Sequence, residues 1–227
     1  MSTRLTAVVV EALEVRALAE FWARALEWES APGDGRVVVR SKAGDGVELW
    51  FVPSERPKQG KNRLHLDLAG GEEPPSSVRR LLALGAERVD IGQGAVPWEV
   101  LADPEGNEFC VLPVADTGGP LVQLCQDAAD PRQQGRFWAE ATGWTVVEQG
   151  SRGVRLRGAD PPPAFGRGDP HGPTLVMGPP VAPKSGTNRL RFALTAAGAA
   201  DQLLTDPEGN EYHLVTGGGG AAPGTRG

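Results

Sequence analysis

The sequence predicts an α+β protein built from four βαβββ-like modules in two tandem pairs. Two internal repeats support this prediction. The segment LADPEGNEFCVLP at 101–113 returns as LTDPEGNEYHLV at 204–215, and FWARALEW at 21–28 returns as FWAEATGW at 137–144. Between these repeats, apolar residues at every second position indicate strands, and apolar residues three to four positions apart indicate helices.

The first module begins with a β-branched run at residues 5–12, which is typical of a strand. Apolar residues at helical spacing begin at Val15 and predict a helix with Trp22 on its buried face. Three further strands are expected, near Trp28, at 36–40 and at 47–53.

The second module begins with a strand at 62–68, whose alternation places His65 and Asp67 on the polar face. Ser76 or Ser77 is expected to cap the following helix, which Gly85 ends. Strands near 88–91 and at 96–102 then lead into the repeated hairpin.

The repeated hairpin has the residues of a type I turn. Asp103 can cap its own turn, Pro104 presets φ, and Gly106 closes the turn. In the strand that follows, Cys110 lies on the face opposite Phe109, and the repeat places His213 at the position of Cys110.

The third module is predicted to begin at Leu121, with Asp130 and Pro131 starting its helix. Ten extra residues are assigned to the Pro- and Gly-rich loop 158–172. The fourth module lacks 23 residues between Arg191 and Asp206, so most of its helix and at least one strand are missing, which leaves sheet edges or apolar faces uncovered. The expected domain organisation is a first domain at 1–115, a linker at 116–120, a degenerate second domain at 121–215 and a disordered tail at 216–227.

Composition argues against several classes of partner. The net charge is −6, and the 23 lysines and arginines form no basic stripe, so nucleic-acid binding is not expected. No apolar stretch is long enough to cross a bilayer, so no membrane partner is expected either. Cys110 and Cys125, one in each half, are too few for a disulfide framework and indicate reduced thiols in a cytoplasmic protein.

Three motifs in order, FWARALEWE after a first strand, KNRLHLDL opening the second module and DPEGNEFCV closing it, resemble the vicinal oxygen chelate superfamily, and within it glyoxalase-like and bleomycin-resistance-like proteins. The resemblance covers nearly the whole chain except the tail. It implies two tandem glyoxalase-like domains whose curved sheets form cups with the helices outside, the first cup made by the first two modules.

In metal-dependent members of the superfamily, each module supplies ligands, usually His, Gln or Glu, from its first and last strands. The positions that correspond to the ligands are Ala7, Glu48, His65 and Cys110 in the first domain, and Gln123, Thr174, Arg191 and His213 in the second. In the second domain, Arg191 and Thr174 suit a metal poorly, so the cup of the first domain is the expected site.

The candidate metal ligands are His65, Glu48 and Cys110, because imidazole, carboxylate and thiolate all bind zinc, the most compatible divalent ion. The departures from the family's ligand set nevertheless favour a cup without a metal, and the cofactor is left open. His65 and Glu48 are the candidate catalytic residues, although His65 could simply hydrogen-bond beside Asp67 and Glu48 could face solvent. The predicted ligand-binding residues are Trp50, Asp67, Trp98, Glu108 and Cys110.

The resemblance implies that the cup binds a small organic molecule. One hypothesis is a metal-assisted lyase, isomerase or dioxygenase. The alternative is a non-catalytic or drug-sequestering protein, which needs aromatic walls but no metal. A third hypothesis is that the truncated second domain covers the first domain or mediates the formation of a homodimer.

Overall fold

The computed structural model describes residues 3–44, 46–114, 119–151, 153–158, 172–184 and 186–217. Most of the predicted insertion at 158–172, most of the predicted tail at 216–227 and part of the linker at 116–120 lie outside these ranges. Within them, the chain forms two mixed sheets and three helices, which confirms the α+β class.

The first two modules follow the predicted element order. The first contains β1 (Thr3–Ala12), α1 (Val15–Leu26), β2 (Glu29–Gly33), β3 (Arg36–Arg40) and β4 (Glu48–Pro53). The second contains β5 (Leu64–Ala69), α2 (Pro74–Ala83), β6 (Glu87–Arg88), β7 (Glu99–Ala102) and β8 (Glu108–Leu112).

The third module is complete and the fourth is truncated. The third contains β9 (Leu121–Asp127), α3 (Pro131–Thr142), β10 (Thr145–Gly150), β11 (Gly153–Arg157) and β12 (Thr174–Gly178). The fourth contains β13 (Leu190–Ala196), β14 (Gln202–Thr205) and β15 (Glu211–Thr216), with no helix among its described residues.

The modules pair across the chain rather than along it. Sheet A joins the first and fourth modules in the strand order β14-β15-β13-β1-β4-β3-β2. Sheet B joins the third and second modules in the order β10-β11-β12-β9-β5-β8-β7-β6. At the two seams, β1 runs antiparallel to β13 and β5 runs antiparallel to β9.

This pairing corrects the prediction that the first two modules share one cup. The physical reason is that the opening strands of the four modules are all largely buried, so each can serve as a central strand at a seam. The repeat makes these strands interchangeable in sequence, and only the tertiary structure selects their partners.

The helix starts agree with the sequence in one case and differ in another. Asp130 caps α3, since its carboxylate accepts a hydrogen bond from the backbone N–H of Gln133 at 3.0 Å. The N-cap of α2 is Glu73 rather than Ser76 or Ser77, because the helix begins at a proline.

Both DPEGN hairpins form the predicted turn. Oδ1 of Asp103 accepts from the backbone N–H groups of Glu105 at 3.0 Å and Asn107 at 2.9 Å, and Asp206 repeats this arrangement. Gly106 has a φ of 82°, a conformation that glycine adopts without strain.

The hairpins also bind the segments that lead into two helices. The Glu105 carboxylate accepts from the backbone N–H groups of Leu13 at 2.9 Å and Glu14 at 2.8 Å, at the start of α1. Glu208 accepts from Ala129 and Asp130, both at 2.8 Å, at the start of α3. Each copy of the hairpin therefore secures the start of a helix.

One continuous apolar core lies between the sheets and the helices. It includes Trp22 and Trp138, which the sequence assigns to buried helix faces. The opposite face of each sheet turns away from the helices and is called the cup face below. No helix in the described part of the chain is long and apolar enough to span a membrane.

Candidate functional site

The polar side chains of sheet B gather on its cup face. Alternation along β5 turns His65 and Asp67 away from the leucines of the core. Asp67 lies opposite Cys110 on β8 and opposite Gln123 on β9, and Gln123 lies opposite Thr174 on β12. The structure therefore combines residues that the sequence assigns to two separate cups.

Asp67 is the centre of this cluster. Its carboxylate is buried, and Oδ2 accepts from the thiol of Cys125 at 3.1 Å. Nε2 of His65 lies 3.5 Å from Oδ1. In the orientation that satisfies both of its ends, the Gln123 amide donates to Oδ2 of Asp67 at 3.1 Å and accepts from Nη1 of Arg155 at 3.3 Å.

Four buried polar atoms in this cluster have no hydrogen-bond partner among the described residues. They are Nδ1 of His65, Oδ1 of Asp67, Oγ1 of Thr174 and Nε of Arg155, the last of which lies 3.3 Å from a carboxylate oxygen of Glu148. A buried polar group without a partner costs about 1–3 kcal/mol, so each such group calls for an explanation. A bound molecule or ion in the cup would provide partners for the first three of these atoms.

The side chains of His65, Asp67 and Cys110 fit a divalent metal ion. Their potential ligand atoms all lie within 4.8 Å of one another. Burial, followed by the negative charge of Asp67, raises the pKa of the Cys110 thiol, so Cys110 stays protonated until a nearby cation offsets these effects. Imidazole, carboxylate and thiolate are all zinc ligands, and three of them leave a position open for a ligand.

Two further predicted residues belong to sheet B. Trp98 immediately precedes β7, on which Val100 lies opposite Cys110, and it is 38% exposed. The Glu108 carboxylate is already engaged, because Lys58 donates to it at 2.6 Å and the backbone N–H of Asn62 at 3.3 Å.

Glu48 and Trp50 lie on the other sheet. They face the cup of sheet A, so Glu48 is separated from His65 and Cys110, with which the sequence groups it. Oε2 of Glu48 accepts from Nε1 of Trp50 at 2.6 Å, and the Arg36 guanidinium stacks 3.9 Å from the centre of the Trp50 ring.

The cup of sheet A does not fit a metal ion. Of its four corresponding positions, Ala7 has no ligand atom and Arg191 is a fixed cation. Arg191 donates to Glu11 at 2.7 Å and to Nε2 of His213 at 3.2 Å, so both partners are engaged. The floor is filled by a separate apolar cluster that contains Ala7, Val9, Trp50 and Ala193.

A cavity of about 470 Å³ lies between the loops at 55–63 and 183–190, with Glu11 in its lining. Its basic side chains are ion-paired with carboxylates, so they offer little free charge to a ligand. The pairs are Arg56 with Glu11, Lys58 with Glu108, Lys61 with Asp127, Arg63 with Glu208 and Arg189 with Glu105.

Two residues that the sequence analysis did not assign to this site are Cys125 and Arg155. Cys125 alternates in step with Gln123 along LVQLCQD, which is the available sequence signal for its position. Its role as a donor to Asp67 depends on the pairing of β9 with β5, which the sequence does not reveal.

Comparison with known proteins supports the fold. The Glyoxalase-like domain family model matches residues 7–112 and 123–203. The structure is similar to a V278E mutant of glyoxalase I from Zea mays, with a TM-score of 0.62, 14% identity, and coverage of 95% of this chain and 92% of that chain. It is also similar to a candidate dioxygenase from Bacillus subtilis, with a TM-score of 0.63, 13% identity, and coverage of 96% and 86%.

No curated protein sequence matches the chain. At the identities of the two solved structures, the likeness concerns the fold, whereas the family match extends over most of the sequence. The predicted resemblance to the vicinal oxygen chelate superfamily is thereby confirmed, in two tandem copies. The chain belongs to the glyoxalase-like domain family.

Proposed function

We propose that the protein binds a small organic molecule in the cup of sheet B, beside a divalent metal ion held by His65, Asp67 and Cys110. The observation that carries this proposal is the set of buried, unpartnered polar atoms of His65, Asp67 and Thr174. The proximity of three side chains with zinc-ligand chemistry supports the metal. Asp67 replaces Glu48 of the sequence prediction, because Glu48 lies on sheet A.

The neighbouring side chains have distinct roles in this proposal. Cys125 and Gln123 hold one oxygen of Asp67 and leave the other directed at His65. The Thr174 hydroxyl offers a hydrogen bond to the bound molecule, and Trp98 offers an aromatic wall. A bound metal ion would polarise oxygen atoms of the ligand.

The ligand set also bears on the class of reaction. Similar structures include a glyoxalase I and a candidate dioxygenase. Thiolate favours zinc over the iron or manganese that oxygen chemistry requires. We therefore favour a non-redox lyase or isomerase reaction over a dioxygenase reaction.

Zinc titration by calorimetry, on protein first treated with a chelator and a thiol reductant, tests the proposal. Wild-type protein should bind one zinc ion per chain. His65→Ala should weaken binding by at least about 100-fold, since loss of an outer-shell partner alone costs about 10–100-fold. His213→Ala is the matched control, because this histidine lies on sheet A and is bonded to Arg191. Absence of zinc binding by wild type, or equal losses in the two variants, would contradict the proposal.

A metal-free binding protein is the second candidate. It is favoured by the raised pKa of Cys110, which keeps the thiol neutral, and by the exposure of Trp98 just before β7, the strand beside β8 and Cys110. In this case aromatic compounds should quench the tryptophan fluorescence of zinc-free protein. Trp98→Phe should abolish the quenching, and Trp50→Phe, which alters a buried side chain of sheet A, should not.

A further inference from the structure

The fourth module can be compared with the second residue by residue, because both end in the DPEGN hairpin. Strands β14 and β15 correspond to β7 and β8 at an offset of 103 residues. The second module has two elements that the described part of the fourth lacks, the helix α2 and the short strand β6. Each of these elements covers a surface in the second module.

Strand β6 covers the outer edge of β7. Glu87 pairs with Ala102 and Arg88 pairs with Leu101, and the backbone N–H of Val89 donates to the carbonyl of Val100 at 3.2 Å. The corresponding residues of β14 are Leu203, Leu204 and Thr205. Strand β14 ends the strand order of sheet A, so no described strand covers this edge.

The missing helix leaves apolar side chains less covered. Leu101 and Val111 of the second module are fully buried, whereas their counterparts Leu204 and Leu214 are only partly buried. Leu203, on the uncovered strand, is 54% exposed. We call the edge of β14 with Leu203, Leu204 and Leu214 the truncation surface.

The other three sheet edges carry features that discourage pairing between chains. Strand β2 contains Glu29 and Pro32, and β6 has only two residues, both charged. Strand β10 contains Glu148 and an irregular register next to it. Strand β14, with the sequence QLLT, has neither a charge nor a proline, so it lacks the usual protection of an edge strand.

We propose that a second copy of this chain docks on the truncation surface. An antiparallel pairing of β14 with itself about a twofold axis centred on Leu203 places Leu203 opposite its own copy and Gln202 opposite Leu204, and it brings no like charges of the strand together. The pairing continues sheet A into the partner and brings the exposed Leu203 side chains of the two copies together. The C-terminal segment GGGGAAPGTRG is a poor alternative occupant, because glycine and proline disfavour strands.

Sedimentation equilibrium over about 1–300 µM protein tests this proposal, a range suited to an interface at the low end of the size scale. Wild-type chain should show a concentration-dependent dimer. Leu203→Lys should weaken dimerisation at least about tenfold, since the lysine would place a charge in the paired edge. Thr205→Lys, at a second exposed position of β14, should have the same effect.

Val147→Lys is the matched control, because Val147 is 50% exposed on the edge strand β10. It should leave the dimer unchanged. Circular dichroism and thermal unfolding of each variant should match wild type, which separates lost docking from lost folding. A wild-type chain that remains monomeric throughout, or a dimer that Leu203→Lys and Thr205→Lys leave intact, would overturn the proposal, as would equal losses in Val147→Lys.

Discussion

Arg63 donates from Nη2 to Oε2 of Glu208 at 2.9 Å, and the two side chains are only 6% and 12% exposed. Arg63 precedes β5 in sheet B, and Glu208 lies in the hairpin of sheet A. Arg189 and Glu105 make the reciprocal contact. Arg63 and Arg189, together with the two DPEGN hairpins, thus connect the sheets twice.

We expect Glu208→Ala to lower the free energy of unfolding by about 3–5 kcal/mol, since it leaves the buried Arg63 guanidinium without its carboxylate partner. Glu99→Ala is the control, because Glu99 pairs with Arg88 on the surface and should contribute less than about 1 kcal/mol. Urea unfolding measures both variants. Equal effects would show that the link between the sheets is not a major contributor.

Trp50→Ala should lower the free energy of unfolding by about 3–5 kcal/mol, because Trp50 is buried in the apolar cluster of sheet A. Zinc affinity should stay at the wild-type value, since the proposed ligands lie on sheet B. Denaturation and calorimetry on the same preparation check both statements. A folded Trp50→Ala protein that no longer binds zinc would indicate that the zinc site lies on sheet A and not on sheet B.

The stability of the protein should decrease as pH falls through the ordinary range of histidine. Burial, followed by the positive charge of Arg191, lowers the pKa of His213, and Glu11 and Asp201 oppose this shift more weakly. The unfolded chain therefore takes up the proton more readily, so protonation favours unfolding below a pH of about 6.5.

Urea unfolding of wild type and His213→Gln at about pH 7.5 and pH 5.5 tests this expectation. The variant should lose less stability between the two values, because it has no imidazole at this position to protonate. An identical loss in both proteins would mean that another group causes the pH dependence.

Much of the fold follows from local sequence. The DPEGN turns, the helix Val15–Leu26 and the missing helix of the fourth module all follow from residue patterns that act over short distances. The partners of the central strands do not. Strands β1 and β5 each begin a module, and nothing in their alternation determines whether β13 or β9 lies beside them.

The candidate site was predictable to the same extent. His65, Asp67 and Cys110 share a face because of alternation and because β5 and β8 belong to one module. Glu48 was grouped with them wrongly, since the first module pairs with the fourth. The contribution of Cys125 and Gln123 required the seam between β5 and β9, where two distant segments meet.

Cobalt(II) binding tests most directly whether the cup of sheet B is a metal site. Bound cobalt ligated by a thiolate gives a sulfur-to-metal charge-transfer band, and the proposed ligand set contains one cysteine. The account predicts one such band per chain, lost in Cys110→Ser and retained in Cys125→Ser. Protein that binds no cobalt, or a band that persists in Cys110→Ser, would contradict it.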